Sequence, residues 1–243
     1  MFDSDSILEI EKLSVHYRDF QALFDVSMKI AKGSVTSIIG SNGSGKSTLL
    51  NTIMGINKPT GGTITLNGMD ITGMRTSKIV ANGVTMSPEG SSIFEDMTIR
   101  ENLLMGAYLP HARKRKNELV EKAFNLFPDL REKQGQLASL LSGGQRQMLS
   151  IAKAIMTDPQ VLICDEISLG LAPVIIKDIY KKVREINKAG VTVVLVEQEV
   201  KRSLKNSDYS YILVKGRVVI EGVSGELPEE EVNNAYFGIN EYA

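Results

Sequence analysis

"GSNGSGKS", residues Gly40 to Ser47, is the stretch of the sequence that decides the fold. It fits the pattern G-x-x-x-x-G-K-[ST], follows the short apolar run "SVTSII", and precedes a helical pattern. Glycines let the backbone curl so that successive N–H groups point at phosphate oxygens, and the following helix turns its positive end toward the same anion. The sequence therefore predicts a phosphate-binding loop between a strand and a helix.

The residues predicted to contact a nucleotide triphosphate follow one another in this loop: Gly40, Ser41, Asn42, Gly43, Ser44, Gly45, Lys46, Ser47 and Thr48. Lys46 supplies a positive charge to the β- and γ-phosphates, and the hydroxyl of Ser47 is expected to bind Mg²⁺. Thr48, the next residue, is expected to contact the α-phosphate. The alternative is a glycine-rich turn without a ligand, which the strand, the helix, Lys46 and Ser47 together disfavour.

A second polar site is predicted at the end of "QVLICDE", residues 160–166. Four apolar residues carry Asp165 and Glu166 to the C-terminal end of a strand, where open α/β sheets bind their ligands. Asp165 suits indirect Mg²⁺ binding, for example through a water molecule, and Glu166 suits a general base that orients and polarises the attacking water. The alternative is a strand capped by two solvated acids.

Strands that alternate with helical patterns indicate an α/β fold with a mainly parallel sheet. Residues 7–39 are rich in strand patterns, and residues 98–157 are mostly helical. We therefore predict a single domain over 1–243, with a core of 1–87 and 158–243, an N-terminal antiparallel β subdomain and an inserted helical subdomain at roughly 88–157.

Composition excludes several classes of protein. The apolar fraction of 42% is ordinary for a globular chain, and a net charge of −1 gives no electrostatic attraction to nucleic acid or anionic membrane. The single cysteine, Cys164, permits no intrachain disulfide and favours a reducing compartment. The first residues carry acids rather than a cationic signal sequence, and no apolar run approaches the ~20 residues of a membrane-spanning helix. These features predict a cytoplasmic protein.

"LSGGQ", Leu141 to Gln145, places small residues at the start of a long helix and so offers a second anion site. One triphosphate rarely needs two such sites in one chain. The phosphate-binding loop, "LSGGQ" and "CDE", in that order, resemble the motifs of the ABC-type ATPases, and the resemblance covers essentially the whole chain. It implies that Ser142, Gly143, Gly144 and Gln145 of one subunit cap the ATP held by a second subunit, in a head-to-tail dimer.

The resemblance assigns further residues. Tyr17 corresponds to the aromatic residue that stacks on adenine, although an ordinary exposed tyrosine of a strand is the alternative. Glu89 stands where the family commonly has a Gln that binds Mg²⁺ and the attacking water. Gln198 stands where a His commonly contacts the γ-phosphate, so Glu166, Lys46 and Gln198 form the predicted catalytic set.

"SPEG", "SLGLAP" and "LVEQ" together resemble the LivF-type ATP-binding subunits of branched-chain amino acid importers. That branch implies integral membrane permease subunits, a second ATPase subunit that is a paralogue or a copy, and indirectly an external solute-binding protein. The chain would then lie on the inner face of the cell membrane. Phe94 and Met97 either contact the permease or pack within the helical subdomain.

Two other functions fit parts of the pattern. One is a related ABC transporter for urea, amides or another solute, including lipopolysaccharide. The other is a soluble ABC ATPase of translation or DNA repair, which usually has two cassettes or a long coiled coil that this sequence lacks. A nucleotide kinase or other P-loop fold is disfavoured by "LSGGQ".

Overall fold

The computed structural model describes residues 6–90 and 92–237. Its strands are β1 (Ser6–Tyr17), β2 (Phe20–Ala31), β3 (Val35–Ile39), β4 (Gly61–Leu66), β5 (Met69–Asp70), β6 (Val84–Ser87), β7 (Val161–Asp165), β8 (Thr192–Glu197), β9 (Tyr209–Val214) and β10 (Arg217–Val223). Its α-helices are α1 (Lys46–Ile53), α2 (Thr76–Ala81), α3 (Ile99–Gly106), α4 (Pro110–Lys114), α5 (Lys116–Leu126), α6 (Pro128–Glu132), α7 (Gly143–Ile155), α8 (Pro173–Lys188), α9 (Val200–Asn206) and α10 (Glu229–Phe237). A short 3₁₀ helix covers Ala138–Leu140.

The chain divides into two compact units. The first comprises Met1–Ile79 and Val194–Ala243, and the second comprises Val80–Val193. These bounds differ from the subdomain bounds expected from the sequence, which remain a prediction.

The first unit contains an antiparallel sheet with the strand order β2-β1-β4-β5. Alternate apolar residues of β1, among them Leu8 and Ile10, are almost fully buried, as expected for a sheet with one face on the core. In the same unit, strands β10, β9, β3 and β8 lie side by side in that order. β3 runs parallel to β9, and all five of its residues are buried. This explains its continuous apolar sequence.

The second unit contains the parallel pair β6 and β7, in which Ser87 lies opposite Cys164. Between these two strands, every regular element of the described residues is helical. α7 packs against β6 through buried serines, since the hydroxyls of Ser87 and Ser150 lie 3.0 Å apart. Parallel pairs joined by helices, together with the antiparallel N-terminal sheet, confirm the predicted α/β class.

Within residues 6–90 and 92–237, each helix is either too short or too polar to span a membrane.

Candidate functional site

The loop from Gly40 to Gly45 connects β3 to α1, as the sequence predicted. Gly45 caps the helix with φ of 107°, a conformation that residues with a side chain rarely adopt. At Gly40 a Cβ atom would lie 2.3 Å from Ser44 Oγ and 2.6 Å from the carbonyl oxygen of Leu213. The start of the loop is therefore packed too closely for any other residue.

Lys46 folds back over this loop. Its ammonium donates to the carbonyl oxygens of Gly40 at 2.8 Å and Ser41 at 3.1 Å, and only 5% of the residue is exposed. Nearby, the hydroxyl of Ser44 is buried, and no hydrogen-bond partner for it occurs among the described atoms. The loop thus combines a buried cation with a buried hydroxyl whose bonding capacity is not met.

Tyr17 ends β1 and lies opposite Phe20 at the start of β2. It is 47% exposed, and its hydroxyl accepts a hydrogen bond from Asn57 Nδ2 at 2.5 Å. The hairpin that carries it also approaches the loop, since a Cβ at Gly45 would lie 2.9 Å from Leu23 Cδ2. The tyrosine is therefore exposed on an element that contacts the phosphate-binding loop.

Gln198 directly follows β8, and the end of β8 is hydrogen-bonded to the loop. The carbonyl of Glu197 accepts from the N–H of Gly40 at 3.2 Å. Immediately afterwards, Glu199 caps α9 by accepting from the N–H of Arg202 at 3.3 Å. The first unit thus brings together the loop, Tyr17 and Gln198.

In the second unit, Glu89 and Glu166 follow the parallel neighbouring strands β6 and β7, and Asp165 is the last residue of β7. Because Ser87 of β6 lies opposite Cys164 of β7, these carboxylates emerge at the same edge of the sheet. Glu89 is exposed, whereas Asp165 and Glu166 are half-buried.

Ile167, next after Glu166, is 1% exposed and belongs to the core. The side chain at this position is therefore held by packing in the core.

Ser142 caps α7 in a reciprocal arrangement with Gln145. The hydroxyl of Ser142 accepts from the N–H of Gln145 at 3.4 Å, and Gln145 Oε1 accepts from the N–H of Ser142 at 3.2 Å. Ser142 and Gly143 are exposed, whereas Gly144 is buried against α8, where a Cβ would lie 2.5 Å from Ile175 Cγ2. The exposed start of α7 can receive an anion, and Gly144 is required for helix packing.

Two residues that sequence reasoning missed order the segment after Glu89. Asn102, fully buried, bonds the backbone N–H of Phe94 and three carbonyls. Lys153 of α7 donates to the carbonyl and the hydroxyl of Ser92, and its ammonium lies 4.7 Å from the centre of the Phe94 ring. Burial lowers the pKa of Lys153. The only sequence signal was the capping box Thr98-x-x-Glu101, which places Asn102 in the first turn of α3.

Phe94 itself is 44% exposed, so its ring is only partly covered by Lys153. Met97 is half-buried, and its carbonyl accepts from the N–H of Ala138 at 2.9 Å. Ser91, three residues before Phe94, lies outside the described residues.

No group of three or more His, Cys, Asp or Glu residues within the described ranges is placed to hold a metal ion. Mg²⁺ commonly uses only one or two carboxylates and takes its other ligands from water and from substrate phosphates.

Comparison with known proteins agrees with this arrangement. Residues 23–168 match the family model described as "ABC transporter". The high-affinity branched-chain amino acid transport ATP-binding protein BraG of Pseudomonas aeruginosa is 39% identical, over 96% of this chain and 100% of that protein. The probable branched-chain amino acid transport ATP-binding protein LivF of Archaeoglobus fulgidus is 37% identical, over 93% and 95%. The ADP conformation of an ATP-binding cassette of an ABC transporter superposes with a TM-score of 0.82 at 32% identity, covering 96% of each chain.

Proposed function

The chain belongs to the ABC transporter family and is an ATP-binding ATPase subunit, and from that premise we propose that it powers the import of branched-chain amino acids through a separate membrane permease. The observation that carries the proposal is the loop from Gly40 to Gly45, which follows β3. The buried side chain of Lys46 folds back over this loop and donates to two of its carbonyls. The transport proteins BraG and LivF match it over nearly their whole lengths, which supports this solute. These two relatives do not favour the alternative functions, which are transport of urea or amides and a soluble ABC ATPase.

In the proposed site, the loop residues Gly40 to Thr48 hold the phosphates of ATP. When ATP binds, the ammonium of Lys46 leaves the two loop carbonyls and donates to phosphate oxygens instead, because these carry more negative charge. A phosphate oxygen near Ser44 would also meet the unpaired hydroxyl, whose burial otherwise costs about 1–3 kcal/mol. The exposed ring of Tyr17 stacks on the adenine.

By family resemblance, Mg²⁺ is proposed to bind the hydroxyl of Ser47 and the carboxylate of Glu89, with Asp165 acting on the ion through a water molecule. Hydroxyl and carboxylate oxygens suit this hard cation. When bound, the ion would neutralise charge on the phosphates.

Hydrolysis is assigned to Glu166 as the residue that orients and polarises the attacking water. Lys46 stabilises the charge that spreads over the γ-phosphate oxygens. Gln198 hydrogen-bonds the γ-phosphate, but an amide cannot accept or release a proton near neutral pH as a histidine can. The proton released by the attacking water is therefore assigned to the carboxylate of Glu166.

The exposed start of α7, from Ser142 to Gln145, is proposed to cap the ATP of a second ATPase subunit in a head-to-tail dimer. Opening of that dimer after phosphate loss would shift the permease between its two states. Phe94 is the proposed contact for the permease, with the helical subdomain bounded at roughly 88–157. The complex would sit on the inner face of the cell membrane, with the solute-binding protein outside.

The test is purification of the tagged chain from native membranes, with mass spectrometry of the proteins that accompany it. We expect integral membrane subunits and a second ABC ATPase. The control is the Lys46→Ala variant, which we expect to keep its membrane partners while losing ATP turnover. Recovery of ribosomes without an integral membrane partner would refute the transport function.

A further inference from the structure

The hairpin formed by β9, β10 and the turn between them contacts the phosphate-binding loop at both ends of the loop. At the start of the loop, the carbonyl oxygen of Leu213 lies 2.6 Å from the Cβ position of Gly40. At its end, the N–H of Gly216 donates to the carbonyl of Ser44 at 2.8 Å. The Cα of Gly216 also lies 3.4 Å from the Cβ position of Gly45. All of these residues belong to the first unit.

Gly216 also joins this loop to β2. Its carbonyl accepts from the N–H of Phe24 at 2.9 Å, while its N–H is bound to Ser44. Beside it, the guanidinium of Arg217 lies 4.4 Å from the centre of the Phe24 ring, which holds the turn against the strand. The backbone of one residue therefore bridges β2 and the phosphate-binding loop.

The direction of the Ser44 carbonyl determines the direction of the next N–H. In a planar trans peptide the C=O and the N–H point to opposite sides of the chain, and the structure contains no cis peptide among its described residues. Because the Ser44 carbonyl points at Gly216, the Gly45 N–H points away from the turn. Gly45 is the N-cap of α1, so this N–H is one of the donors at the helix end where an anion binds.

We propose that Gly216 is a positioning residue for nucleotide binding, which fixes the Ser44–Gly45 peptide with its N–H directed toward the phosphates. The inference rests on the proposed function, because it concerns the loop that holds ATP. It adds a requirement that the loop motif itself does not contain. The conformation of the phosphate-binding loop then depends on the turn between β9 and β10, which is distant from the loop in the sequence.

Only glycine fits this position. Its φ is +76°, and a Cβ would lie 2.3 Å from the carbonyl oxygen of Ala22 and 3.0 Å from Phe24 Cδ2. Since the nearest obstacle is backbone, Gly216→Ala must move the turn away from β2. That movement separates Gly216 from Ser44 and frees the peptide to rotate.

The chain contains a matched control in the turn between β4 and β5. Gly68 has the same φ of +76°, and Asn67 before it has φ of 48°, against 47° for Lys215. A Cβ at Gly68 would meet nothing within 4 Å. Gly68→Ala therefore introduces the same backbone strain without disturbing the loop.

The experiment is a calorimetric titration of the full-length chain with ATP. We expect Gly68→Ala to bind ATP as the unchanged protein does, and Gly216→Ala to bind about tenfold more weakly, the effect of one lost hydrogen bond to a charged group. Equal affinities of the two variants would overturn the inference. If the unchanged protein itself binds no ATP, the proposed function fails instead.

A second measurement needs no variant and covers the case in which Gly216→Ala does not fold. Amide hydrogen exchange of the unchanged protein is followed with and without ATP. Because the Gly216 N–H is bound to the loop, we expect ATP to slow its exchange, while the N–H of Gly68 exchanges at the same rate in both samples. An unchanged rate at Gly216 would contradict its role.

Discussion

Replacing Asn102 with alanine is expected to loosen the segment that carries Phe94. The side chain accepts from the N–H of Phe94 at 2.8 Å and donates to the carbonyls of Phe94 at 2.9 Å, Thr98 at 3.0 Å and Met97 at 3.3 Å. Each of these carbonyls keeps a second donor in the variant. The carbonyl of Phe94 keeps the N–H of Met97, that of Thr98 keeps the N–H of residue 102, and that of Met97 keeps the N–H of Ala138. The N–H of Phe94 is the group that loses its partner.

The magnitude follows from this count. An unpaired buried N–H costs about 1–3 kcal/mol, and each further net hydrogen bond lost costs about 0.5–1.5 kcal/mol. Because the two hydrogens of Nδ2 make at most two full bonds, we expect the Asn102→Ala variant to lose about 2–6 kcal/mol of unfolding free energy. The control is Asn206→Ala, because Asn206 makes one similar bond, to the carbonyl of Arg202 at 2.8 Å. It should cost about 1 kcal/mol.

Urea unfolding of both variants measures the difference, and amide exchange at Phe94 shows whether the loss is local. Asn102→Asp adds a test of charge. It keeps the acceptor for Phe94 but turns a carboxylate toward three carbonyls at a fully buried position. Burial and these carbonyls raise the pKa of the new acid, so its instability relative to the unchanged protein should shrink as the pH falls. The reasoning is wrong if Asn102→Ala costs no more than Asn206→Ala.

Three further outcomes are expected. Glu166→Gln should keep ATP binding and lose turnover, with the dimer trapped closed, as measured by phosphate release and size-exclusion chromatography; near-normal hydrolysis would remove Glu166 as the base. Gln198→Ala should slow turnover with ATP affinity largely kept, and unchanged activity would make its side chain only structural. Hydrogen bonds from Arg115 and Lys122 lower the pKa of Glu118 to about 2. By NMR titration, Arg115→Gln should raise this pKa toward the ordinary value, and an unmoved midpoint would discount the Arg115 contact.

The sequence was sufficient to predict those parts of the site that depend on local order along the chain. The loop before Lys46 lies between a strand and a helix, as its pattern requires. Glu89 and Asp165 share one edge of a sheet because Glu89 follows β6, Asp165 ends β7, and the two strands are parallel neighbours. Such placement depends on strand polarity, which short motifs can indicate.

Contacts between distant segments were not predictable in this way. The turn at Gly216 reads in the sequence only as a hairpin, and its bond to Ser44 depends on how β9 and β2 pack around the loop. Likewise, Asn102 appears in the sequence as one polar residue of a helix start. Its four bonds arise only when the preceding segment folds back over the first turn of α3.

The bonds of Lys46 to Gly40 and Ser41 also bear on which ligands the loop accepts. A ligand must replace these two carbonyls as the partner of the Lys46 ammonium. We therefore expect the loop to prefer ligands that attract the ammonium more strongly than the carbonyls do. In the proposed site, a nucleoside monophosphate would be too short to reach both the end of α1 and Lys46, so it would leave the lysine bonded to the two carbonyls. A triphosphate would reach both, and we therefore expect the loop to favour ligands with a longer phosphate chain.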